Sequence, residues 1–202
     1  MAKERLSETG HPDAPAWRWL AALLSLVAFA CTTLPPPSGG INYTGRFALA
    51  VDGANRHETA SGRFALTVDE SDVTLDLSTP LGTTVARVQS GPAGARLTVP
   101  SSGGLRTEQG PDADALSLQV LGWPLPVSGI GDWIEGRPVP GRPYRLGPGE
   151  GGAEQLEQDG WTIHFDPRGP DGRIRRLDMR RPQQGDAPAV SLRVVLDEGA
   201  GS

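Results

Sequence analysis

Few side chains in this sequence are placed to do chemistry, and Cys31 has the most specific setting of them. It is the only cysteine, so an intramolecular disulfide and a cysteine-based metal cluster are both excluded. It directly follows an uncharged apolar run, residues 20–30, that ends in the small residue Ala30. A lone cysteine is usually a buried packing residue, and this position sets Cys31 apart from that. The other reactive groups do not converge. His11, His57 and His164 lack metal-ligand spacing, and no G-x-S-x-G or P-loop pattern occurs. Lys3 is the only lysine, so the chain beyond residue 30 offers no Schiff-base or phosphate-binding lysine. The acids between Asp69 and Asp72 lack the spacing of a calcium loop and read as an exposed turn, and Asp171-Gly172 reads as a hairpin turn. The residues point away from an enzyme, and no cofactor or metal is expected.

The run before Cys31 has the length of a signal-peptide core and is too short to span a bilayer. Arg18 precedes it. Apolar run, small residue and cysteine together resemble a lipobox, the signal for diacylation of a cysteine that becomes the first residue of the mature chain. Two positions depart from the usual pattern: Ala28 stands where Leu is common, and Phe29 is large for its place. The next segment, residues 32–40 (TTLPPPSGG), has the composition of a tether that holds a domain off a membrane. The expected organisation is a lipoprotein signal peptide over 1–30, a lipidated Pro/Gly-rich tether over 31–42 and one domain over 43–202. An ordinary secreted protein or an uncleaved anchor is the alternative for the N-terminus. By resemblance to lipoproteins, the absence of Asp at position 32 implies sorting to the outer membrane.

Composition bounds the domain. About 170 residues remain after the export segment, enough for one core. The net charge is −5, and the first thirty residues are formally neutral, so the rest of the chain carries all of it. No basic stripe exists, which argues against nucleic acid as a partner. Aromatics are 5% of the chain, so the core must be mostly aliphatic, and 27 Gly with 19 Pro favour many turns.

Period-2 alternation supplies the main elements. Phe47, Leu49 and Val51 share a face, as do Phe64, Leu66 and Val68, then Val73, Leu75 and Leu77. Leu97 with Val99, Ile163 with Phe165, and Val190, Leu192, Val194 and Leu196 continue the pattern. Each run is bounded by Gly, Pro, Asn or Asp, as strands joined by turns require. One apolar face per strand predicts an antiparallel sheet covered on one side. Residues 111–121 (PDADALSLQVL) open with an acidic cap and read as a short helix. Residues 122–126 (GWPLP) break it, and Val127, Ile130, Trp133 and Ile134 then follow helical spacing up to a stop at Gly136. Two short helices inserted into such a sheet must lie across its apolar face or its open end. A plain sandwich with a filled core fits the same periodicity.

At this point the sequence resembles the LolB family of outer-membrane lipoprotein receptors, relatives of the periplasmic carrier LolA. Residues 43–49 (YTGRFAL) resemble its first strand, and residues 78–83 (STPLGT) its loop with a central Pro-Leu-Gly. Residues 122–136 (GWPLPVSGIGDWIEG) resemble its helix entry, and residues 156–165 (LEQDGWTIHF) its Q-x-G-W-x-V-x-Y hairpin. The likeness runs in order over roughly 43–196. Two departures stand out: Phe64-Ala65-Leu66 replaces the family's F-x-W, and the last strand lacks a Trp after Val195.

The resemblance implies a mainly β fold, an incomplete and strongly curved antiparallel barrel with short helices as a lid over an apolar cavity. It implies an acceptor that takes triacylated lipoproteins from a LolA-like periplasmic carrier and inserts them into the outer membrane. Such a protein is lipid-anchored on the periplasmic face, contacts outer-membrane lipids and works as a monomer. The acyl-binding cavity is expected to combine Phe47, Phe64, Leu66, Leu77, Leu116, Ile130, Trp133, Ile134 and Ile163. Leu81 lies between Pro80 and Gly82 in a turn, and in the resembled family this loop carries an apolar residue that meets the membrane. A soluble periplasmic carrier, and a structural or assembly lipoprotein without a cavity, are the competing functions. Cys31 and the tether speak against the first.

Overall fold

The computed structural model describes residues 40–54, 56–149 and 153–201. Cys31, the apolar run before it and residues 32–39 lie outside them. The strands are β1 (Ile41–Gly53), β2 (Arg56–Asp69), β3 (Asp72–Ser78), β4 (Thr84–Gly91), β5 (Gly94–Ser101) and β6 (Gly104–Gly110). Helices α1 (Ala113–Leu121) and α2 (Val127–Ile134) follow. The chain returns through β7 (Tyr144–Pro148), β8 (Glu154–Gln158), β9 (Trp161–Phe165), β10 (Arg176–Arg181) and β11 (Ala189–Leu196). All eleven form one sheet in the order β6-β5-β4-β3-β2-β1-β11-β10-β9-β8-β7. Every pairing is antiparallel, and β6 and β7 do not pair with each other, so the sheet is not closed. The periodicity predicts the antiparallel sheet with inserted helices, and the open, mainly β barrel is the one that the resemblance implies.

Alternation sets the register because a one-residue slip would turn every apolar side chain outward. Leu49 pairs with Leu192 and Val51 with Val190 across β1 and β11. Phe64 pairs with Leu77 and Leu66 with Leu75 across β2 and β3. Two glycines on β1 and β2 let the aromatic rings lie flat on the inner face. Gly45 is opposite Phe64, and Phe47 is opposite Gly62. A Cβ on Gly45 would lie 2.7 Å from the Phe64 ring, and one on Gly62 would lie 3.0 Å from the Phe47 ring. Each ring therefore covers the glycine across from it, which restores packing that a bare glycine would leave open.

The sheet must curl around the helices. Helix α2 packs on β3 and β4, yet the Trp133 indole N–H donates to the Gln158 carbonyl oxygen on β8 at 2.9 Å. Six strand spacings separate β3 from β8 in the sheet order, about 29 Å if the sheet were flat. An eight-residue helix is only about 12 Å long. Strands so far apart reach one short helix only because the sheet wraps it. The core is correspondingly one continuous cluster, with inward residues of the sheet closing on Leu116, Val127, Ile130, Trp133 and Ile134.

Both helices have identifiable ends. The Asp112 side chain caps α1 by accepting from the Ala115 N–H at 2.7 Å. Gly122, at φ 83°, closes α1 by donating to the Leu118 carbonyl. Helix α2 has no cap of its own, because the preceding residue is Pro126. Asp114 supplies one from α1, its carboxylate accepting from the Ser128 N–H at 3.2 Å. Burial pushes the Asp114 carboxyl up to about 6, against the hydrogen bonds from Ser128 that lower it. A carboxyl raised on folding contributes stability that is full below its unfolded value near 4 and lost as pH rises through 6. Asp114→Asn keeps an acceptor for Ser128 and removes the buried charge. The variant is expected to match the wild type near pH 4 and to exceed it at pH 8 by about 2–3 kcal/mol, as read by urea unfolding. A variant less stable at pH 8 would mean that the charge itself secures the cap.

Candidate functional site

Inside the curled sheet an apolar cavity lies against the start of α2. Phe47 and Leu49 of β1, Phe64 of β2, and Leu75 and Leu77 of β3 form one wall. Leu192 and Val194 of β11 continue it. Trp123, Leu125 and Pro126 of the α1–α2 connection, with Ile130 of α2, form the roof. No polar side chain lines it. Its volume is about 20 Å³, room for roughly one water and far too little for an acyl chain. In this conformation the roof sits down on the sheet.

Of the residues expected in the cavity, the structure brings together Phe47, Phe64, Leu77 and Ile130. Leu66, Leu116, Trp133 and Ile163 are fully buried in the core and do not line this space. Ile134 is buried one turn beyond Ile130 and lines a different cavity, at the far end of α2. Leu49, Leu75, Leu192 and Val194 also line the roofed cavity, and the alternation shows them only as inward-facing. Trp123, Leu125 and Pro126 belong to the segment that the sequence marks as a helix breaker. Their signal was composition: three large apolar side chains in a loop need something to cover.

The roof is pinned on its far side. Gln158 accepts from both Trp133 and the Val139 N–H, and its amide donates to the Val139 carbonyl. Arg142 joins the Ser128 hydroxyl at the start of α2 to Asp159 in the β8–β9 turn, at 3.2 and 2.8 Å. These bonds tie the helices to the β8 side, whereas the cavity lies on the β1–β3 side, where the contacts are apolar.

Leu81 stands apart. It is 96% exposed, the most exposed of the large apolar side chains among the described residues. Its turn is tight: the Gly82 N–H donates to the Thr79 carbonyl at 2.9 Å, and the Thr79 N–H donates to the Thr83 carbonyl at 2.8 Å. The Thr83 N–H also donates to the Thr79 hydroxyl at 3.2 Å. Pro80 fixes the second position of the turn and Gly82, at φ 90°, takes the left-handed conformation that follows. The side chain is held out by a rigid loop that leaves β3 two residues after the cavity residue Leu77.

Among the described residues no group of His, Cys, Asp or Glu could hold a metal ion, and no helix is long and apolar enough to cross a membrane. His57 pairs with Asp52 at the exposed end of the β1–β2 hairpin.

The family model described as "Outer membrane lipoprotein LolB" matches residues 41–198. The outer-membrane lipoprotein LolB of Ralstonia nicotianae is 39% identical over 166 residues, covering 77% of this chain and 78% of that protein. The protein of the same description from Bordetella bronchiseptica is 36% identical over 202 residues, covering 93% and 98%. That from Cupriavidus pinatubonensis is 33% identical over 189 residues, covering 85% and 89%. A curled open sheet, helices laid over its apolar face and these similarities along most of its length agree: the chain belongs to the LolB family of outer-membrane lipoproteins.

Proposed function

We propose that this protein receives triacylated lipoproteins from a LolA-like periplasmic carrier, holds their acyl chains beneath α2, and passes them to the outer membrane. In this reading it is a monomer anchored through Cys31 on the periplasmic face. The observation that carries the reading is the exclusively apolar space between α2 and strands β1–β3 and β11. Each buried methylene is worth about 0.8 kcal/mol, so acyl chains do not cross an aqueous compartment unaccompanied. The empty cavity is too small for them, so acceptance requires the α1–α2 connection to lift from the sheet. The apolar contacts of Trp123, Leu125 and Ile130 with the sheet are then exchanged for contacts with the ligand, a trade with little net cost. No covalent step is needed, and the lipoprotein moves by the difference in affinity between donor and acceptor.

Phe47 gives the test, because it lines the cavity while only half-buried. Phe47→Glu places a charge against the ligand but leaves it a route to water. A fluorescent diacylated lipopeptide is expected to bind the wild type and to bind the variant at least tenfold more weakly, with the melting temperature only a few degrees lower. Equal affinity in the two proteins, or no binding to the wild type, would sink the cavity reading.

A further inference from the structure

A second cavity, of about 220 Å³, lies at the opposite end of α2 from the roof. It opens where β1 and β10 begin and β11 ends, since Gly45 pairs with Leu196 and Arg176 with Val195. Its lining is mixed. Ile134, Ile174 and Leu196 give an apolar side, and Arg168, Arg173 and Arg175 give a cationic one. Most charges here are already matched: Arg175 pairs with Asp171, Glu135 with Arg137, and Asp197 with Arg63. The Tyr43 hydroxyl donates to Glu135, and burial together with that carboxylate pushes the phenol well above its ordinary value, so it stays neutral.

Arg168 and Arg173 are different. Arg168 donates to the carbonyls of Gly172 and Glu135, and Arg173 to the carbonyl of Ala200. Among the described residues neither forms an ion pair. Two guanidinium groups, oriented by main-chain oxygens and in no ion pair, face one small cavity, with Asp171, the ion-pair partner of Arg175, the carboxylate whose acidity Arg173 also raises. Gly136 makes room for this, because a Cβ there would lie 2.5 Å from the Arg168 guanidinium. Arginine forks match the oxygens of a phosphate. The cavity has space for such a group and the glycerol beside it, and the apolar side suits the first methylenes.

The place of the cavity selects the source of the phosphate. It lies at the end of the sheet where β1 begins, and Cys31 is ten residues before Ile41. A chain of that length reaches at most about 35 Å. A bilayer holding an acylated Cys31 is therefore never far from this end of the domain. We propose that Arg168 and Arg173 bind the phosphodiester headgroup of a membrane phospholipid, giving the tethered domain a docking point separate from the acyl cavity. The orienting role rests on the lipid anchor at Cys31, whereas headgroup binding does not.

The test uses the full chain with Cys31→Ala, so that no acyl anchor contributes and the apolar run 20–30 is common to every variant compared. Its binding to phosphatidylglycerol vesicles is measured by co-sedimentation, and inorganic phosphate is titrated separately by calorimetry. The double variant Arg168→Ala/Arg173→Ala is expected to lose at least tenfold in vesicle affinity. Arg173→Gln, which keeps a donor for the Ala200 carbonyl, should lose less and secures the result if the double variant is unstable. Arg145→Ala serves as control, since that arginine is exposed at the other end of the sheet. Lipopeptide binding in the apolar cavity should be unchanged in all three. Equal losses in the control and the double variant would reduce the effect to general charge and overturn the proposal. Tight binding of inorganic phosphate without vesicle binding would also overturn it.

Discussion

Leu81→Glu is expected to leave the fold and the acceptance of lipoproteins intact while abolishing their delivery into membranes. The side chain touches almost nothing, so removing it forfeits no packing, and its turn is held by Thr79, Pro80 and Gly82. The melting temperature should move by no more than a degree or two. A leucine fully transferred from water is worth on the order of 1.5–3 kcal/mol. That is too little to hold a protein on a membrane, but it is enough to bring the cavity end of an anchored one against the lipid. A carboxylate there replaces that gain with a desolvation cost. The measurement has two steps, transfer from a carrier to the protein and then from the protein to liposomes. Delivery should fall to background with acceptance unchanged. Loss of acceptance alone would place Leu81 at the carrier interface.

Cys31→Ala is expected to end acylation and release the protein from the outer membrane into the periplasm. Two acyl chains make a stable anchor where one makes only a marginal one, so losing the modified cysteine is an all-or-none change. Radiolabelled palmitate should enter the wild type and leave the variant unlabelled, and fractionation should move the variant to the soluble pool. Equal label in both would remove the lipobox from the account. Acceptance of lipopeptide should survive, because the domain from residue 40 onward contains the whole cavity.

Much of the fold was legible because the strands of the β1–β2–β3 meander and β11 are buried on one face and exposed on the other. The edges were not. Every residue of β7 is exposed, and β6 has no buried residue, so neither carries an alternation to read. They are strands only because a neighbour offers hydrogen bonds. The cavity was legible in part, for a related reason. Alternation reports which side chains face inward but not where the inward space fails to fill. Phe64 and Leu66 share a face two residues apart, and only Phe64 lines the gap. Ile130 and Ile134 are one helical turn apart and face different cavities. Those distinctions depend on where the α1–α2 connection lies, which no local pattern encodes.

The direction of β1 has a consequence for posture. Ile41 begins the strand opposite Val68, while the Leu81 loop leaves the sheet beyond the level of Arg46, which is opposite Arg63 and, through it, Ser78. The five steps from Ile41 to Arg46 span about 17 Å, and the loop adds to that. The start of the domain and the exposed Leu81 therefore lie at different levels of the sheet, although β1 and β2 run on past the loop to Gly53 and Arg56. If Cys31 is acylated and Leu81 meets the lipid, ten residues reaching up to about 35 Å span that offset, so both points can share one lipid surface. In that arrangement the reach of ten residues limits how far Leu81 can lie from the anchor.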